Sequence, residues 1–253
     1  MAILAIIGGT GLDALGILQV EKREVINTPF GEPSGPVTRG ILCGQEVLFL
    51  PRHGYDHHLP PHQVNYRANL WALRSAGAEQ VLAVAAVGGI HADMDPGRLV
   101  IPDQIIDYTW GRPSTFFEDG FEQNGEGVVH IDFTEPYCQT LRQQLLSAAR
   151  TAGIEVHDGG TYGATQGPRL ETAAEIARME RDGCHLVGMT GMPEAALARE
   201  LALCYATCAV VANRAAGKAE GVITMAEIEA NLKGGMQRVG ELLESLMPLS
   251  KLG

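Results

Sequence analysis

The chain has 253 residues, 45% of them hydrophobic, with 30 acidic against 19 basic side chains and a formal net charge of −11. That length allows one large α/β domain with a substantial core, and the charge argues against a nucleic-acid partner, because proteins that hold a phosphate backbone show a basic face. No apolar run approaches the roughly 20 residues that span a bilayer, and the N-terminus has no basic region followed by an apolar stretch and cleavage site, so a cytoplasmic protein without a membrane partner is expected.

Residues 2–7 predict a buried strand, and "GGTG" at 8–11 stands at its carboxyl end, where open α/β sheets place ligands. A dinucleotide-binding turn would open a crossover helix here. The next residues, "ILQVEKREVINTPFG" at 17–31, are instead β-like and turn-rich. What is left is a turn whose amide N–H groups and Thr10 hydroxyl suit one small anion, or a tight turn with no ligand. Residues 46–50 predict a second buried strand, followed directly by Arg52 and His53; the planar guanidinium fork suits phosphate, although a solvated Arg–His pair would read the same way. His53, His57, His58 and His62 crowd into "RHGYDHHLPPHQ", but without ligand spacing, so no metal is expected.

A helix is predicted over 64–76, ended by Gly77, and buried strands over 81–87, 98–107 and 203–212. Between them lie a long polar loop over 108–135, of the length that usually has a task, and a helix over 136–152 with Pro136 at its start and Gly153 past its end. "GATQGPRLETAAE" at 163–175 turns into a helix over 172–181 with Glu171 in its first turn. Thr190 precedes a helix that begins near Pro193, and Asn213 closes the strand over 203–212. The last helix opens at Thr224 with a capping box to Glu227 and carries Ile228, Leu232, Val239, Leu242, Leu243 and Leu246 on one face. Five cysteines (Cys43, Cys138, Cys184, Cys204, Cys208) lack C-x-x-C spacing and are expected reduced and mostly buried. The alternation of strands and helices predicts a single α/β domain over 1–253, a central mixed sheet flanked by helices.

Taken together, "GGTGL", "PRHG", "VNYRANLWAL", "GPRLETAAE", "MTGMPEAALARE" and the strand ending in Asn213 closely resemble the purine nucleoside phosphorylase and methylthioadenosine phosphorylase family, with "TPFGEPS" and "HIDFTEPYC" extending the match through nearly the whole chain. The resemblance implies cleavage of a nucleoside's glycosidic bond by inorganic phosphate, a homotrimer, and no cofactor. It makes Thr10, Arg52, His53, the backbone N–H of Ala86 and Thr190 phosphate contacts, with Asn213 and Thr190 catalytic. Met189, Leu170, Glu171, Asn213, Arg214, Ala215, Met225 and, from a neighbouring subunit, His130 would contact the nucleoside. Relatives commonly carry a hydroxyl or amide where this chain has Ala85, which puts one phosphate or sugar contact in doubt.

Adenine-cleaving members of the family carry Asp at the positions of Asn213 and Ala215 and lack Glu171, whereas members acting on inosine and guanosine carry Glu and Asn at 171 and 213. The chemistry agrees: a carboxylate accepts the N1–H of a 6-oxopurine, and it repels the bare N1 of a 6-aminopurine. At the 5′ end, inosine-cleaving members place His where this chain has Met225, whose thioether favours a methylthio group; Met225 packed in the core is the plain alternative. The mixed pocket predicts S-methyl-5′-thioinosine as substrate. Methylthioadenosine or inosine and guanosine cleavage are the alternatives within the class, and a nicotinamide-dependent oxidoreductase or a non-catalytic nucleoside-binding module those outside it.

Overall fold

The computed structural model describes residues 2–9, 16–118, 129–221 and 223–249. The expectation at Thr10 therefore lies outside the described residues. Eleven strands form one mixed sheet: β1 (Ile3–Gly8), β2 (Gln19–Glu24), β3 (Val37–Leu42), β4 (Gln45–Pro51), β5 (Ala78–Gly89), β6 (Leu99–Ile101), β7 (Gln104–Asp107), β8 (Val156–Asp158), β9 (Thr161–Ala164), β10 (Leu186–Gly188) and β11 (Cys204–Arg214). The main path runs β2-β3-β4-β1-β5-β10-β9-β7, and β11 branches from β5 to carry β6 and then β8. Among the described residues the α-helices are α1 (Tyr66–Ser75), α2 (Gln139–Ala152), α3 (Ala173–Arg181), α4 (Gly191–Glu200) and α5 (Met225–Leu246).

Strand alternation sorts the core into two faces. Ala5, Ile7, Leu48, Leu50, Val81 and Ala83 pack with Leu70 and Leu73 of α1 and Ala195 and Leu197 of α4. Their neighbours Leu4, Ile6, Val47, Phe49, Leu82 and Val84 pack on the other face with Leu141 and Leu145 of α2 and Leu242 and Leu246 of α5. Because β1, β4 and β5 are covered on both sides, they read as unbroken apolar runs, the pattern of a parallel sheet. β1 is parallel to both β4 and β5, and β5 to β11.

The predicted strand over 98–107 is two strands. Pro102 cannot donate to a ladder, and the chain changes neighbours there: β6 joins β11 and β8, whereas β7 joins β9. The second helix begins at Gln139 rather than at Pro136, with Cys138 as its N-cap, and ends as expected at Gly153 in the left-handed region. The third opens with a complete capping box from Thr172 to Glu175, which leaves Glu171 one residue before the cap instead of in the first turn. Of the box at α5 only one half forms, Thr224 accepting from the Glu227 N–H. The residues after the Gly-rich turn form β2, an edge strand antiparallel to β3, where a dinucleotide site would need a crossover helix. The loop after β7 is anchored: Phe116 is buried against Phe30 and Trp71, and its N–H donates to Glu200.

The expectation of reduced thiols fails at one pair, since Cys138 and Cys204 form a disulfide that ties the N-cap of α2 to the first residue of β11. Their spacing of 66 residues hid the pairing from any local pattern. Cys184 and Cys208 are buried thiols and Cys43 is exposed. Closing a loop of that length is worth about 4 kcal/mol in the chain-entropy account, so reduction is expected to lower the melting temperature by on the order of 10 °C. Calorimetry with and without reductant, and on Cys138→Ala/Cys204→Ala, checks this; an unchanged transition would show that the bridge adds no stability.

Candidate active site

A cavity of about 1120 Å³ opens at the carboxyl ends of β1, β4, β9, β10 and β11. Gly9 follows β1, Arg52 and His53 follow β4, and residues 84–88 of β5 form the floor. Pro168, Leu170 and Glu171 come from the segment after β9, Met189 and Thr190 from the end of β10, and Asn213 and Ala215 from the end of β11. The cavity face of α5 supplies Ile228, Leu232 and Met236. The apolar stripe predicted on α5 is thus divided: Val239, Leu242, Leu243 and Leu246 pack into the core, and Ile228 and Leu232, only half-buried, turn toward the cavity.

Arg52 is 1% exposed and is not the free cation the sequence suggests. Its Nε and Nη2 donate to the two carboxylate oxygens of Glu194 at 2.7 and 2.9 Å, and Nη1 and Nη2 donate to the carbonyls of Val84 and Ile7 at 3.0 and 3.3 Å. Burial opposes its charge, but the Glu194 carboxylate outweighs it and raises the guanidinium above its ordinary range. Tyr205 donates its hydroxyl to the same carboxylate at 2.9 Å. Glu194 is fully buried in the first turn of α4, where a carboxylate also favours the helix dipole. Sequence reasoning missed it, because a Glu in a first turn reads as a surface helix feature.

His53 Nδ1 lies 2.8 Å from the Leu59 carbonyl, which can only accept, so Nδ1 carries a proton. Burial first, and the adjacent Arg52 guanidinium second, push this imidazole down to about 4. At neutral pH the ring is uncharged and Nε2 is a bare acceptor. Among the described residues no group of three or more His, Cys, Asp and Glu could hold a metal ion.

Glu171 is held by a residue that sequence reasoning also missed: the Thr165 hydroxyl donates to its Oε1 at 2.7 Å. Asn213 is buried and donates from Nδ2 to the Arg214 carbonyl at 2.7 Å, leaving Oδ1 and a second N–H. Thr190 is the N-cap of α4, yet its hydroxyl makes no capping bond. The close approach of these loops depends on glycine. A Cβ on Gly188 would stand 2.0 Å from the Tyr162 hydroxyl, and one on Gly167, where φ is +61°, 2.5 Å from Met189 Sδ.

Three expected contacts do not line this chain's cavity. Arg214 points to the opposite side of β11, donating to the carbonyls of His91 and Ala92 and pairing with Asp95. Met225 is 66% exposed at the first residue of α5, which also rules out a core role for it; the cavity wall starts a turn later at Ile228. His130 is exposed, away from the lining. Ala86 lines the cavity beside Ala85 and is exposed.

Comparison with known proteins agrees with this architecture. The model of the phosphorylase superfamily matches residues 3–248. A probable S-methyl-5′-thioinosine phosphorylase of Pseudomonas syringae pv. tomato is 56% identical over 250 residues, 99% of this chain and 100% of that protein. A 6-oxopurine nucleoside phosphorylase of Pyrococcus furiosus is 46% identical over 97% of this chain and 92% of its own length. Among solved structures, a methylthioadenosine phosphorylase from Schistosoma mansoni in complex with adenine superposes with a TM-score of 0.94 at 32% identity, covering 100% of this chain and 93% of that one.

Proposed function

The chain belongs to the phosphorylase superfamily, and from that premise we propose that it cleaves S-methyl-5′-thioinosine with inorganic phosphate, giving hypoxanthine and 5-methylthioribose 1-phosphate. The observation that carries the reading is the pairing of Glu171, oriented by Thr165, with Asn213 in one cavity. Glu171 Oε1 is taken by Thr165, so Oε2 is the oxygen left to accept the N1–H of a 6-oxopurine. Asn213 donates to N7 or O6 as the C1′–N9 bond breaks and its electron pair moves onto the base. The 5′-methylthio group lies against Ile228, Leu232 and Met236, the apolar side chains of an α5 wall that also carries Glu229, Lys233 and Gln237. This moves to the next turns of α5 the part that the resemblance assigns to Met225.

Phosphate binds at the other end, between Gly9, the Ala86 backbone, His53 and Thr190. The neutral His53 ring accepts from a protonated phosphate oxygen through Nε2. Arg52, its charge offset by Glu194, keeps one N–H beyond the four bonds described above and sets the floor of the anion site. The nucleophile is positioned while C1′ moves toward it as an oxocarbenium-like centre, which is charge stabilisation rather than covalent catalysis. A homotrimer in the cytoplasm, in which exposed His130 reaches a neighbour's site, and action without a cofactor complete the proposal.

The test is phosphate-dependent base release from methylthioinosine, methylthioadenosine and inosine, measured side by side. The expected kcat/KM for methylthioinosine exceeds that for methylthioadenosine at least about 100-fold. Comparable values would move the assignment to methylthioadenosine, and fastest release from inosine would make it a general 6-oxopurine enzyme.

A further inference from the structure

We propose that Arg112, in the loop after β7, is a positioning residue that fixes the spacing between the base-reading segment and the ribose–phosphate segment of the site. The proposal rests on the nucleoside reading of the cavity. Arg112 makes six hydrogen bonds, all to these two segments and the helix beneath them. Nη1 donates to the carbonyls of Met189 at 2.9 Å and Met192 at 2.6 Å, which flank Thr190, and to the Tyr66 hydroxyl at 3.3 Å. Nη2 donates to the carbonyls of Thr165 at 3.2 Å and Gln166 at 2.8 Å, and Nε to the Gln166 side chain at 3.2 Å. The guanidinium has five N–H groups, so its donor capacity is filled, and among the described residues no carboxylate shares it.

The bonded residues sit at the roots of two segments that both line the cavity. Thr165 holds Glu171, and the chain from Gln166 leads through Pro168 and Leu170 to it. Met189 and Thr190 form the wall toward ribose and phosphate. The walls also touch beside the arginine, where Gly167 has no room for a side chain against Met189 Sδ. One rigid, planar fork that donates to both roots sets the distance from base to nucleophile, and Lys, with a single rotating ammonium, cannot reproduce that plane. The Trp110 N–H also donates to Gln166 Oε1, so the loop grips this root at two residues.

Arg112→Lys keeps the charge and most of the packing, and Arg112→Met removes the charge. In Arg112→Lys, kcat on methylthioinosine is expected to fall about 100-fold, since small misplacements of reacting groups cost that much, while the melting temperature and the affinity for free hypoxanthine change little. Amide hydrogen exchange is expected to accelerate in both 165–171 and 188–192 in the two variants. A kcat within about two-fold of the parent, or a loss accounted for wholly by the unfolded fraction, would overturn the proposal. So would unchanged exchange in the two segments. If the parent protein itself releases no base from any nucleoside, the nucleoside reading fails on its own, and the exchange result alone decides whether Arg112 couples the two segments.

Discussion

Glu194→Ala is expected to destabilise the protein by about 3–5 kcal/mol, because it leaves the Arg52 guanidinium buried without a counter-charge. For a chain of this size that is a fall of roughly 10 °C or more in melting temperature. Arg52→Met should do comparable damage, stranding the Glu194 carboxylate with Tyr205 as its remaining donor and depriving the Ile7 and Val84 carbonyls of theirs. The double variant Arg52→Met/Glu194→Met is the informative one. Replacing both members of a buried ion pair by apolar side chains is often close to neutral; here the two carbonyls lose the Arg52 donors and the Tyr205 hydroxyl loses its carboxylate acceptor, so recovery of about half the lost stability is expected. Phosphate use is not expected to recover with it: the apparent KM for phosphate stays raised at least about ten-fold, since the anion site has lost its remaining charge-assisted donor. Calorimetry together with phosphate saturation curves separates the two effects. A double variant as unstable as the worse single would show that the pair is not what these strand ends depend on. Normal phosphate saturation would remove Arg52 from the anion site.

The pair also shows where the sequence stops being informative. The strand ends that carry Arg52 and Asn213 were legible because β4 and β11 are buried on both faces and read as apolar runs with a polar residue at the exit. The residues that hold those groups were not. Glu194 meets Arg52 across 142 residues of chain, and Arg112 meets Met192 across 80, distances at which no local pattern operates. Thr165 and Glu171 are only six residues apart, but the intervening Gly-Pro turn has no fixed period from which a contact follows. Arg214 differs, since period-two alternation along β11 already turns it away from the face that Asn213 and Ala215 share. Met225 precedes Ile228 by three residues, so it has nearly the helical phase of the cavity wall but lies one turn beyond its end. Pro102 carried its signal openly, and a strand drawn through it contradicted the rule that proline closes a ladder.

Glu171→Ala is expected to lower kcat/KM for methylthioinosine about 100-fold, roughly 2.7 kcal/mol of transition-state stabilisation, because the N1–H of the leaving base loses its acceptor. On methylthioadenosine the same change removes a carboxylate that faces an unprotonated N1. Activity there should hold or rise, so that the ratio between the two substrates moves by at least the loss on the first. Thr165→Val isolates the orienting bond: Glu171 keeps its charge but not the hydroxyl that fixes Oε1, and a loss of about ten-fold on methylthioinosine is expected, near the lower end of what a hydrogen bond to a charged group is worth. Joining Glu171→Ser to Asn213→Asp, which supplies an acceptor for the exocyclic amine of adenine, should carry the preference further toward the aminopurine. Kinetics of these three variants on both nucleosides decide the matter. Parallel losses on the two substrates would mean that Glu171 supports the fold of the 165–171 segment and that the base is read elsewhere in the cavity, whereas opposed changes locate the choice between oxo- and aminopurine at this carboxylate.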